Sequence, residues 1–339
     1  MRYLRIGILF TFVQLTSAQT TFIVDGFSDD YYGKVQINDT TEIFSAGSVA
    51  IFSKKLNKEI LRVDSDELAT NLHQGKLVAN IRSLPYGEQS LIMYGDYNFD
   101  NKKDFAICDG QNSCYHGPSF KIYLATKKGF SYSKAFTRLT QEYCGMFEVN
   151  SESKTLNTFT KSGCCMHAFS EFVVEKNIPK AIKVVTEQNE MAYNTITVET
   201  RNGTQMRAQT VKTIDVNREG IKVVLSFMIP ESGKNVILFN CNDRTLNCAI
   251  LQADKTVEFS FPVETIYKNP DFSYDTSANN QSLTFSSGKT TYTIYDNLTE
   301  LKMRVCVDGN CSYVLADSST KIGNLQKLLE VKLDNVVIH

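Results

Sequence analysis

Residues 90–108 read SLIMYGDYNFDNKKDFAIC: an apolar run, a loop crowded with Asp and Asn, and a second apolar run. Ser90 to Tyr94 and Phe105 to Cys108 have the length and the aliphatic and aromatic content of buried strands. Between them, oxygen-bearing side chains stand at positions 1, 3, 5 and 9 of the loop, as Asp96, Asn98, Asp100 and Asp104. Calcium takes about six to eight oxygen ligands, and a tightly wound loop turns alternate side chains towards one point. Lys102, at position 7, contributes its main-chain carbonyl. Asn101, at position 6, is a residue type that tolerates the left-handed backbone such a turn needs. An EF-hand would add flanking helices and an acidic residue at position 12, but Ile107 stands there and both flanks are strand-like. The spacing therefore predicts a β-loop-β site for Ca2+, in which the ion allows three facing carboxylates to coexist. Magnesium, which prefers a smaller octahedron and keeps its water, suits the loop less well.

The same punctuation extends in both directions. Lys34 to Ile37, Val49 to Phe52, Glu59 to Val63 and Phe120 to Leu124 read as strands, as do Thr195 to Glu199, Ile221 to Phe227, Asn235 to Phe239, Ala249 to Gln252, Thr256 to Phe261 and Thr290 to Tyr295. Helical periodicity is confined to Ile322, Leu325, Leu328 and Leu329, a short amphipathic helix near the end. The expected fold is all-β with little helix, propeller-like or of several sheets. No exact internal repeat is visible, which a propeller with degenerate blades also allows. Val185 to Asn194 is polar and without alternation. It divides a calcium-binding β domain, 19–185, from a second β region, 186–339, that ends in the short helix. Lys268 to Ser282, with Pro270 and Asn279-Asn280, reads as a long loop.

The amino terminus has the pattern of a secretory signal over residues 1–18: Arg2 and Arg5, an apolar stretch from Ile6 to Val13, and Thr16-Ser17-Ala18 before the expected cut. That stretch is shorter than the roughly 20 residues a membrane-spanning helix needs, and no later run reaches that length. The expectation is a secreted or periplasmic chain beginning at Gln19, with no transmembrane segment. Cleavage takes the formal charge from −1 to −3. Such a balance, without a clustered basic surface, argues against nucleic-acid binding.

All nine cysteines lie beyond the leader, where an exported chain meets oxidising conditions. Spacing suggests Cys108 with Cys114, Cys241 with Cys248, and Cys306 with Cys311. Cys144 is expected to pair with Cys164 or Cys165, which leaves one thiol over. The turn-rich stretch Asp109 to Pro118 follows the cation loop directly. Held by the ion and a Cys108–Cys114 bridge, it would be a rigid projecting loop, in which Tyr115 and His116 either serve recognition or pack on the cation loop. Cys165 near His167 invites a nucleophile reading, but successive strand residues face opposite ways and no orienting third group is apparent. The Cys and His spacing also matches no standard zinc hooks. G-x-S-x-G, H-E-x-x-H and phosphate-binding glycine loops are absent, so no catalytic residue is nominated and the chain is read as a non-enzyme.

Gly95 to Leu124, Glu142 to Phe147 and Ser162 to His167 together resemble the calcium-dependent periplasmic immunity proteins that inhibit a lysozyme-like effector of bacterial type IV secretion. The loop itself resembles the FG-GAP calcium loops of integrin-type propeller repeats. The resemblance spans Tyr94 to His167. It implies a β-propeller-like core and Asp96, Asn98, Asp100, Lys102 and Asp104 as metal ligands. It also implies projecting loops that bind a peptidoglycan hydrolase, with Tyr115, His116, Met166 and His167 as contact residues. This chain lacks the lipid-anchor cysteine frequent in such proteins, and its part beyond about residue 185 has no assigned counterpart. The alternatives are an envelope or adhesion module with a structural calcium ion, or a secreted hydrolase.

Overall fold

The structure is a computed structural model that describes residues 19–83, 87–263, 270–277, 281–297 and 300–339. The expected signal peptide lies outside the described residues. Strand after strand pairs with its neighbour in sequence, and the described strands make five sheets. The first sheet holds β1 (Thr20–Val24), β2 (Tyr31–Ile37), β3 (Phe44–Ser53) and β4 (Lys58–Ala69) in that order. The second holds β5 (Ile92–Gly95), β6 (Asp104–Gly110), β7 (Ser119–Thr126) and β8 (Gly129–Tyr132). The third runs from β9 (Glu148–Asn150) through β10 (Thr155–Ser162), β11 (Met166–Glu175), β12 (Ile178–Glu190) and β13 (Tyr193–Asn202) to β14 (Gln205–Ile214).

The fourth sheet contains β15 (Ile221–Ile229), β16 (Lys234–Cys241), β17 (Thr245–Leu251) and β18 (Val257–Phe261). The fifth contains β19 (Phe272–Asp275), β20 (Ser282–Ser287), β21 (Thr290–Asp296), β22 (Leu301–Val307) and β23 (Asn310–Leu315). Two late strands return to these sheets: β24 (Asp317–Gly323) pairs antiparallel with β15, and β25 (Val336–Ile338) pairs parallel with β19. The chain is thus all-β and multi-sheet, and each stretch read as a strand overlaps one, running past its ends by at most two residues.

By internal contacts the chain divides into two compact units. One comprises the residues up to Lys161 with Phe169–Lys183, and the other Ser162–Ala168 with Val184–His339. Each has its own core. Val35, Val49, Ile51, Phe105, Phe120 and Phe136 are fully buried in the first; Leu225, Leu238, Tyr274, Leu283 and Ile294 are fully buried in the second. In β2, Gly33, Val35 and Ile37 alternate with half-exposed residues, as expected of a strand with one face in the core. At Gly33 a Cβ would stand 2.2 Å from Ile92 Cδ1, so a side chain there would displace the buried end of Ile92. β6 and β17, each interior to its sheet, are buried nearly throughout, and their apolar runs Phe105 to Cys108 and Cys248 to Leu251 are unbroken.

Four expectations are corrected. Lys134–Glu142 is an α-helix, α1, absent from the sequence reading because its buried face carries only Phe136 and Leu139 beside Thr137 and Thr140. Those threonines replace apolar contacts with hydrogen bonds: Thr137 Oγ1 accepts from Ile122 N at 3.0 Å, and Thr140 Oγ1 accepts from Phe120 N at 2.9 Å and donates to Phe120 O. The polar segment Val185 to Asn194 is strand as far as Glu190, because a strand paired on both sides satisfies its main chain whatever its side chains, although the division by internal contacts does fall beside it, between Lys183 and Val184. β19 lies inside the expected loop Lys268 to Ser282. The C-terminal helix is a 3-10 turn, Leu325–Leu329, that buries Leu325 and Leu328, while Ile322 sits exposed on β24.

The disulfides are Cys114–Cys144, the vicinal pair Cys164–Cys165, and Cys306–Cys311, which alone matches the pairing read from spacing. Cys306 and Cys311 stand opposite each other across the β22–β23 hairpin. Cys241 and Cys248 cannot meet. Cys248 pairs with Leu238 in the ladder and Cys241 with Thr245, an offset of three that places the two thiols on opposite faces of the sheet. Cys108 faces the first core and its thiol is pushed up to about 12 by burial; burial likewise raises Cys241 to about 11 and Cys248 to about 12. Protonated, enclosed thiols do not react. The expected result of alkylation without reductant is no label on the native protein and three labels after denaturation. One label, as a Cys241–Cys248 bridge would leave, contradicts this pairing.

Candidate functional site

The loop between β5 and β6 is wound by its own side chains. Asp96 accepts N–H bonds from Asp100 at 3.1 Å and Asn101 at 2.8 Å, one on each carboxylate oxygen. Asn98 Oδ1 also faces Asp100 N, at 3.3 Å, and Asp100 accepts from Lys102 N at 2.9 Å. These short-range bonds from Asx side chains close successive turns. Asn101 has a φ of 66°, the left-handed conformation expected of position 6. Phe99 adopts φ 62° as well, an unfavourable choice for a large side chain, and its ring packs against the first core.

Asp104 differs from the other three. As the first residue of β6 it is fully buried, and its two oxygens take N–H bonds from Tyr97 at 2.9 Å and Ala125 at 2.7 Å. It thereby ties the cation loop to β7. Burial raises its carboxyl to about 6, and the negative charges of Asp100 and Asp96 push the same way against those two N–H bonds. Asp104 has no ion-pair partner among the described residues; Asp100 has Lys102 Nζ at 3.6 Å.

The donor set suits a hard cation: three carboxylates, an amide oxygen and a main-chain carbonyl, all oxygen. Among the described residues no three His, Cys, Asp or Glu side chains are drawn together closely enough to hold a metal as they stand. The charges of Asp100 and Asp96 add to burial in disfavouring the ionisation of Asp104, which is the condition a divalent ion relieves. The fit therefore lies in donor chemistry, loop winding and the negative charge that Asp96 and Asp100 place near Asp104.

A residue outside the loop also engages it. Asn98 Nδ2 donates to Asn177 Oδ1 at 3.0 Å, across 79 residues of sequence. Asn177 sits with Lys176 at the two-residue turn between β11 and β12, both left-handed. Nothing in the sequence links this turn to the cation loop, because the proximity is created by packing.

The Tyr115 and His116 loop is anchored differently from the sequence reading: Cys114 bridges to Cys144, just after α1, instead of to Cys108. Tyr115 and His116 both adopt positive φ, 52° and 57°. Tyr115 is 59% exposed with Lys161 Nζ 4.3 Å from its ring centre. His116 reaches Glu67 at 3.3 Å and stacks edge-on with Phe44. Neither rests on the cation loop in these contacts. Met166 and His167 open β11, half-buried, directly after the vicinal disulfide. They belong to the other compact unit, so the four residues nominated for partner contact fall into two separate sets.

Fold and chemistry together define a disulfide-bonded, all-β, multi-sheet protein with an oxygen-rich loop at the β5–β6 connection. No family model matches the chain, and no curated protein matches it. Among solved structures it is similar to a Xanthomonas type IV secretion system related protein, at 18% identity and TM-score 0.45, over 57% of this chain and 94% of that one. It is also similar to the periplasmic gluconolactonase of Pseudomonas aeruginosa, at 9% identity and TM-score 0.23, with 88% of each chain covered. A putative 6-phosphogluconolactonase from Bacteroides uniformis gives 8% identity and TM-score 0.23, over 90% of this chain and 86% of that one. At these TM-scores no function follows from any of the three.

Proposed function

We propose that the chain is a calcium-binding protein of an oxidising compartment outside the cytoplasm, a binding protein and not an enzyme. In this reading the Cys114-anchored loop binds a lysozyme-type peptidoglycan hydrolase and inhibits it. The observation that supports calcium is Asp104: a fully buried carboxyl, facing the charges of Asp96 and Asp100, without a cationic partner among the described residues. Asp96, Asn98, Asp100, the Lys102 carbonyl and Asp104 would hold the ion, which supplies charge neutralisation and a fixed loop geometry. Three disulfides support the oxidising compartment. Recognition is supported by an exposed Tyr115 and His116 that a bridge and two side-chain contacts hold in place before any partner arrives, which lowers the ordering cost of binding.

The test is a pull-down from periplasmic extract with the immobilised protein, read by peptidoglycan zymography. A hydrolase retained in calcium and released by chelator is the expected result. A hydrolase retained equally in both, or in neither, overturns the reading.

A further inference from the structure

We infer that Asn177 is a positioning residue of the calcium site, setting the orientation of the Asn98 amide and so coupling the β11–β12 turn to the ion; the inference rests on the calcium reading above. Asn98 is the one candidate side-chain ligand whose donor group is ambiguous, because an amide has an oxygen that binds a cation and an NH2 that repels it. A carboxylate presents oxygen whichever way it rotates. An amide has to be held, and two contacts hold this one. Nδ2 donates to Asn177 Oδ1 at 3.0 Å, while Oδ1 faces the N–H of Asp100 at 3.3 Å. Rotating the amide by half a turn would set NH2 against the Asp100 N–H and oxygen against the Asn177 oxygen. The fixed N–H of Asp100 rejects that rotamer, and Asn177 would have to turn its own amide to accept it, so Oδ1 stays on the side of the loop where Asp96 and Asp100 stand.

The backbone of the turn suits this task. Lys176 and Asn177 have φ of 52° and 61° and lie between paired strands, the arrangement of a two-residue hairpin whose backbone position is fixed by the ladder. Asn is among the few residues comfortable there, and it adds a carbonyl oxygen aimed across to the cation loop. Outer contacts of this kind orient a ligand, and their loss typically costs about 10- to 100-fold in metal affinity.

The left-handed φ also supplies a clean test. Asn177→Gly keeps the turn, because glycine adopts this conformation freely, and removes only the side-chain acceptor. Asn177→Asp keeps an acceptor for Asn98 Nδ2. Calcium affinity is measured by titration calorimetry on the full mature chain, and thermal unfolding in chelator monitors the fold. The expected result is affinity about tenfold weaker in Asn177→Gly and equal to or tighter than the parent in Asn177→Asp, with the same melting temperature in chelator for all three. Unchanged affinity in Asn177→Gly, or the same weakening in Asn177→Asp, overturns the inference. If the parent itself takes up no calcium, it is the proposed function that fails.

Discussion

In chelator, raising the pH from about 4 to about 7 is expected to remove of order 3 kcal/mol of folding stability through Asp104 alone. The sign follows from the direction of the shift. The folded-state carboxyl titrates at about 6, above its ordinary 3.8, so between those values the folded chain holds a proton that the unfolded chain has released. The resulting stabilisation is complete below the unfolded value and is lost as the pH rises through the folded one. Calcium reverses the preference, because a cation favours the carboxylate and its binding expels the proton. The rise in melting temperature on adding calcium should therefore be small near pH 5 and level off above about pH 7. Asp104→Asn should abolish that calcium response and, in chelator near pH 4, cost about 1–3 kcal/mol, since Tyr97 and Ala125 bond separate carboxyl oxygens and an amide offers only one. A calcium-induced rise in melting temperature that is the same at both pH values contradicts the assignment.

The second large effect concerns Cys114–Cys144. Replacing both cysteines by serine should cost about 3–4 kcal/mol, because the bridge spans 30 residues and restrains a long loop of the unfolded chain. The bridge Cys306–Cys311 spans five and should cost about 2 kcal/mol when removed in the same way. Denaturant midpoints under non-reducing conditions give both numbers. Equal losses from the two pairs would show that strain or residual structure, not loop length, governs them. The larger loss should also free the loop bearing Tyr115 and His116, so hydrolase retention should fall with the first pair of substitutions and stay with the second.

The candidate loop was almost fully legible because its information is local. Oxygen side chains at fixed offsets, an Asn at the left-handed position, and apolar runs on either side all lie within nineteen consecutive residues. The strands were legible for a related reason: apolar residues that alternate, or that run unbroken in central strands, record burial in the chain itself. α1 was illegible because Thr137 and Thr140 fill half of its buried face with hydroxyls bonded to β7, and Phe136 and Leu139 are the only large apolar residues of a short segment. β12 was illegible because a strand flanked on both sides is held by its main chain, which has the same groups in every residue.

Sequence by itself thus determined the all-β class, the positions of about half of the described strands, the Asx-wound loop and the short hairpin bridge Cys306–Cys311, all set by neighbours within a few residues. Tertiary structure alone decided that Cys114 meets Cys144, that Cys241 and Cys248 face opposite ways, that Asp104 is buried against the N–H of Ala125, and that Asn177 reaches Asn98. The reason is the same in each case. These contacts depend on the register of one strand against another and on which face of a sheet is covered. Such relations between distant segments exist only once the sheets are packed.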